Sequence, residues 1–149
     1  EIDTVQRGLQ VWGLKHVQAW LLDQLAQASG EADLLPVRTG MAVRARLVEH
    51  LLDPGDEEDL RREVYLCGLY ARLDQLLGEP LATLLARLPL SQRILQSLLD
   101  SGPYQPALQL AQALEAGDTQ GTRALRESYG YGAEDVNRAL LRTLAGLAT

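Results

Sequence analysis

The chain has 149 residues, with 14 Lys plus Arg against 20 Asp plus Glu and a net charge of −6. That balance opposes a phosphate-backbone partner unless a local basic patch meets it, so nucleic acid is not expected. The single cysteine rules out an internal disulfide, and no secretory segment or uncharged apolar run of the roughly 18 residues that a membrane span needs is present, which reads as a cytoplasmic protein.

Phe is absent, and Leu and Ala far outnumber Val and Ile. Unbranched side chains lose little rotamer freedom in a helix, which favours helices over sheets. The expected fold class is all-α, a compact bundle of about eight or nine helices. A chain of this length forms one domain that buries roughly 70% of its unfolded surface.

Asp3-Thr-Val-Gln6 has capping-box form, so a short helix runs to about Val11 before Gly13 breaks it. From Leu14, the apolar positions Leu14, Val17, Trp20, Leu21, Leu25 and Ala28 follow the spacing of a helix with one buried face, and Gly30 stops it. Pro36 suits the first turn of a third helix, carried through Met41, Val43, Leu47, Val48 and Leu51 and ended by Asp53-Pro54-Gly55. Its basic side holds Arg38, Arg44 and Arg46. Next, the acidic run Asp56 to Asp59 complements a helix N-terminus, and Glu57/Arg61 and Glu58/Arg62 have i,i+4 spacing, contributing about 0.3 kcal/mol each.

That fourth helix is expected to continue to Leu77 and stop at Gly78. It is apolar nearly all round between Val64 and Leu77, as a central, most buried helix would be. Shorter helices follow over Pro80–Arg87, Ser91–Leu99, Tyr104–Ala116, Thr119–Ser128 and Ala133–Leu147. Pro89, Gly102-Pro103, Gly117-Asp118 and Gly130-Tyr-Gly132 separate them. No low-complexity linker or helical-repeat period divides the chain.

Few residues carry chemistry. His16 and His50 fall on different helices without a second ligand at helical spacing, so no metal site is expected. Cys67 lies in the all-round apolar stretch with no base nearby and reads as a buried structural thiol. Arg38, Arg44 and Arg46, with Arg61 and Arg62, would suit an anionic ligand if the fold gathered them; they equally describe a solvated helix face. Trp12 and Trp20 suit either the core or the anchoring of a partner helix. No acid, base and nucleophile set is present, and no cofactor is expected.

Ile2-Asp-Thr-Val-Gln-Arg-Gly-Leu9, Val11-Trp-Gly-Leu14, Val17-Gln-Ala-Trp20, the run Glu63 to Gly78, Leu88-Pro-Leu-Ser91 and Tyr131-Gly132 with Ala133 to Asn137 together resemble the HDOD domain, in particular the HDOD half of bacterial EAL-HDOD signalling proteins. The resemblance spans nearly the whole chain. It implies an HD-superfamily helical fold without the family's first helices, and a lost metal centre. The family's His-Asp metal ligands would follow Gly68-Leu69-Tyr70, where this chain has Ala71 and Arg72. It further implies a non-catalytic regulatory or protein-interaction module, linked to cyclic di-GMP signalling through an upstream EAL-type domain. The expected partner is that domain, another protein or a second copy, with Trp12, Trp20, Arg38, Arg44, Arg46 and Arg72 as candidate contacts. A face of the Asp3–Ser29 region would then be covered by another chain or left exposed. The alternative is a receptor for a nucleotide or other phosphate on the arginine-bearing helix.

Overall fold

The structure, a computed structural model, describes residues 35–147. The helices expected before Gly30, and the cover expected over them, fall outside these residues. All regular structure described is helical: α1 (Leu35–Leu52), α2 (Glu58–Tyr70), α3 (Leu73–Leu77), α4 (Leu81–Ala86), α5 (Gln92–Leu99), α6 (Gln105–Glu115), α7 (Thr119–Tyr129) and α8 (Ala133–Leu147). The all-α expectation holds.

Local chemistry sets most boundaries. Pro36 sits in the first turn of α1, where a missing N–H costs no intrahelical bond. The helix ends as Asp53, at φ 43°, donates its N–H to the Glu49 carbonyl over 3.0 Å, and Pro54 cannot continue the ladder. The Ser91 hydroxyl caps α5 by accepting from the Ile94 N–H at 3.3 Å, and the Asp118 carboxylate caps α7 by accepting from the Gly121 N–H at 2.9 Å. Gly78, at φ 69°, closes α3 by donating its N–H to the Asp74 carbonyl over 2.8 Å.

The single helix expected from the acidic run to Leu77 is two helices. Ala71 keeps helical angles, but Arg72 leaves them at φ −128° and ψ 31°, and the Gln75 N–H bonds to the Arg72 carbonyl in a three-residue turn at 3.2 Å. The all-round apolarity of Val64–Leu77 therefore records two helices with differently directed buried faces. Tyr70, the last residue of α2, and Leu73, the first of α3, are both fully buried.

Among the described residues the hub is also different from the expected one. α1 packs against α2, α6 and α8, whereas α2 packs against α1 and α5. Three neighbours bury Met41, Arg44, Ala45, Leu47, Val48, Glu49 and Leu51, more than half of the helix circumference at 100° per residue. The charges of Arg44 and Glu49 disguise this in the sequence. From α2 the core takes Val64, Leu66, Cys67 and Tyr70, from α4 Leu84 and Leu85, and from α6 Ala107, Leu108, Leu110 and Ala111. Helix α7 contributes no buried residue; it lies on α6, with the Tyr129 hydroxyl donating to Gln109 Oε1 at 2.7 Å.

Gly68 explains how α1 and α2 come so close. A Cβ built there would lie 2.7 Å from the Ala45 Cα and 3.4 Å from the Arg44 carbonyl oxygen. Only hydrogen fits between the two backbones.

Candidate functional site

The α2–α3 break holds the positions at which the resemblance places lost metal ligands. Ala71 offers no donor atom. Arg72 is half-buried and makes no ion pair among the described residues, and neither does Asp74, so the polar pair sits at the start of α3 without closing on itself. The Tyr70 hydroxyl beside it in sequence is buried without a hydrogen-bond partner, and burial pushes its phenol well above the ordinary range. Among the described residues no three His, Cys, Asp or Glu side chains gather where they could hold a metal ion.

The arginines of α1 do not form one solvated face. Arg44 and Arg46 are two residues apart and point to different sides of the helix. The Arg44 side chain is 7% exposed and its Nε donates to Glu115 of α6 at 2.9 Å, while its Nη1 is buried with no partner. Arg46 is exposed; it donates to Glu49 at 2.8 Å and lies 4.8 Å from the centroid of the Tyr65 ring. Arg61 turns to Glu49 at 3.5 Å and to the Gly55 carbonyl instead of the expected Glu57, because Glu49 stands on the facing side of α1. The other expected pair, Arg62 with Glu58, is present at 3.7 Å. Each cation described on these two helices thus has a carboxylate partner, which leaves little positive field for an anion. Arg38 has only its backbone described, in α1, and Trp12, Trp20 and His16 lie outside the described residues.

Cys67 is fully buried. Burial, followed by the charge of Glu63, pushes its thiol up to about 12, so it stays protonated and unreactive. Glu63 also accepts from the Ser91 hydroxyl at 2.6 Å, tying α2 to the start of α5. Sequence reasoning missed Glu49, Glu63 and Glu115 as partners. The i,i+3 spacing of Arg46 and Glu49 was a local signal for that one pair, whereas Arg61 with Glu49, Ser91 with Glu63 and Arg44 with Glu115 meet at spacings that no single helix sets.

His50 lies in the last turn of α1, half-buried. Burial lowers its pKa below the ordinary 6.5; Glu49 opposes that shift, Arg142 and Arg46 reinforce it, and Asp53 opposes it. The unfolded chain therefore takes up this proton more readily than the folded one. The native state keeps its full stability above the ordinary value and loses some as the imidazole is protonated at lower pH. Between about pH 7.5 and about pH 5.5, urea unfolding midpoints of the wild type are expected to fall further than those of His50→Gln. Parallel profiles for the two proteins would refute the assignment.

Helix α8 carries three of the five large apolar side chains exposed among the described residues. Val136, Ala139 and Thr143 are buried where α8 meets α1, whereas Leu141, Leu144 and Leu147 are 67%, 58% and 50% exposed. A groove of about 530 Å³ runs beside this helix, lined by Glu134, Asn137, Arg138, Leu141, Arg142 and Ala145. The sequence held a signal for it, since Leu140, Leu141, Leu144 and Leu147 span a wider arc than one neighbouring helix covers. No described helix is long and apolar enough to cross a membrane.

No known family model, curated protein or solved structure matches this chain.

Proposed function

We propose that this chain is a non-catalytic regulatory and protein-interaction module of bacterial signal transduction, HDOD-like in kind and coupled to cyclic di-GMP signalling through a neighbouring EAL-type domain. The observation that carries the reading is the α2–α3 break. A half-buried arginine with no counter-ion among the described residues stands there, at the positions where the resemblance would put a divalent metal. Two cations at one point repel, and Ala71 supplies no ligand to offset that. The partner would be a protein, since the net charge of −6 disfavours a polyanion.

The phosphate-receptor alternative draws less support from the geometry, because Arg44 and Arg46 diverge and each is neutralised by a glutamate.

Metal analysis of the purified chain, with turnover assays on cyclic dinucleotides and phosphomonoesters, tests the catalytic half of the reading. Background metal and no turnover are expected; stoichiometric Mn, Fe or Zn, or hydrolysis, would overturn it. Arg72→Ala is expected to leave metal content at background and to shift unfolding by less than about 1 kcal/mol, since no ion pair is lost. Partner binding is then the readout left for Arg72. Reading the coding sequence upstream of Glu1 tests the signalling half. An in-frame EAL-type domain supports the link to cyclic di-GMP, and any other neighbour removes it.

A further inference from the structure

Helix α7 is held differently from the other long helices. None of its residues is buried. Gly121, Thr122, Leu125 and Arg126 are half-buried along one narrow stripe, and the rest are exposed. Its one extensive contact among the described helices is with α6, whereas α6 and α8 each pack directly on α1. The packing that joins α1, α6 and α8 therefore does not pass through α7. The side-chain hydrogen bond from α7 to α6, Tyr129 to Gln109, is itself exposed. The ion pairs of α7, Arg123 with Glu127 at 3.0 Å and Arg126 with Glu127 at 3.9 Å, lie within the helix and do not tie it to a neighbour.

The two ends are also insulated. Gly117, at φ 67°, and Gly130, at φ 75°, interrupt the backbone ladder on either side. Helix α6 completes its own last turn, with the Ala116 N–H donating to the Gln112 carbonyl at 3.0 Å, and α8 begins its own, with the Val136 N–H donating to the Gly132 carbonyl at 3.1 Å. Neither neighbour needs α7 to be helical. With 11 residues, α7 is shorter than the roughly 12–15 at which an isolated helix becomes even marginal in water. Leaving α6 and melting are therefore one event.

We propose that α7 is a strap that melts off α6 as one unit in the native protein, while α1, α6 and α8 stay packed, and so uncovers the face of α6 that carries Gln109. By helical spacing Pro106 and Ala113 share that face, and both are half-buried in the closed form. The opening is a property of the packing and does not depend on the regulatory reading above.

Native-state amide exchange of the full chain at increasing urea, below the unfolding transition, tests this. Amides of residues 119–129 are expected to exchange together, with at least about 100-fold less protection than those of α1. Their urea dependence is expected to be shallow, because melting one peripheral helix exposes little surface. Exchange of α7 with the protection and the steep urea dependence of α1 overturns the proposal. So does the absence of any protection in α7, which would mean that no strap is docked.

Two substitutions add an independent check. Ala124→Gly, at an exposed position inside α7, weakens the helix and is expected to speed α7 exchange about fivefold. Gly68→Ala, at the close approach of α1 and α2, weakens the closed and the opened forms alike. It is expected to speed α1 exchange roughly 30-fold and to leave α7 exchange unchanged. A Gly68→Ala protein in which α7 and α1 speed up equally, or an Ala124→Gly protein with unaltered α7 exchange, overturns the proposal. The wild-type urea series decides the question even where Gly68→Ala does not fold.

Discussion

Glu115→Ala is expected to destabilise the protein by about 3 kcal/mol, because it leaves the Arg44 guanidinium buried with no counter-charge. The two members of this pair are not equivalent. The Arg44 side chain is 7% exposed and that of Glu115 is 23% exposed, so water reaches the carboxylate more easily than the guanidinium. Arg44→Met therefore costs less, since the abandoned glutamate is partly solvated and the methionine fills part of the vacated volume. The pair is also imperfect as it stands, with Arg44 Nη1 lacking a partner. Replacing both residues, by Arg44→Met with Glu115→Leu, recovers most of the loss. Urea unfolding of wild type, the two single variants and the double variant, followed by circular dichroism, ranks the four. A cost for Arg44→Met equal to or above that for Glu115→Ala would show that the buried charge is not the source of the effect.

Gly68→Ala is expected to cost about 2 kcal/mol, although alanine is the better helix former by about 1 kcal/mol. The added methyl would sit 2.7 Å from the Ala45 Cα, a backbone atom that no rotamer change can move. Helices α1 and α2 must separate, and the side chains between them lose contact. Two further variants isolate the cause. Ala45→Gly does not rescue Gly68→Ala, because the obstructing atom is the Cα and remains. Gly40→Ala, on the same α1 where an added Cβ meets nothing within 4 Å, raises stability by about 0.5–1 kcal/mol from helix propensity alone. Rescue by Ala45→Gly would locate the close approach elsewhere.

Between Pro36 and Leu147 most helices stand where turn residues and apolar spacing place them. Ala133–Leu147 agrees at both ends, and the short helices after Gly78 agree to within a residue or so. The burial of Cys67 was legible for the same reason, since it follows from the neighbours along one helix. The site was less legible. Arg44 reads in the sequence as part of a basic face, yet it is buried by a partner 71 residues away. The break at Arg72 has no proline, and the nearest glycine upstream, Gly68, lies inside α2, so no local residue announces it.

What the sequence determined by itself is the helical class and, among the described residues, most of the helix ends. Each depends on backbone hydrogen bonds and side chains within a few residues of one another. The tertiary structure decided that α1 rather than α2 is the hub. It also decided that the Val64–Leu77 stretch divides, that Glu115 neutralises Arg44, and that α8 keeps a leucine stripe uncovered among the described residues. These are outcomes of which faces meet. An apolar residue records that a surface is to be buried, but the partner that buries it lies at a sequence distance that periodicity does not span.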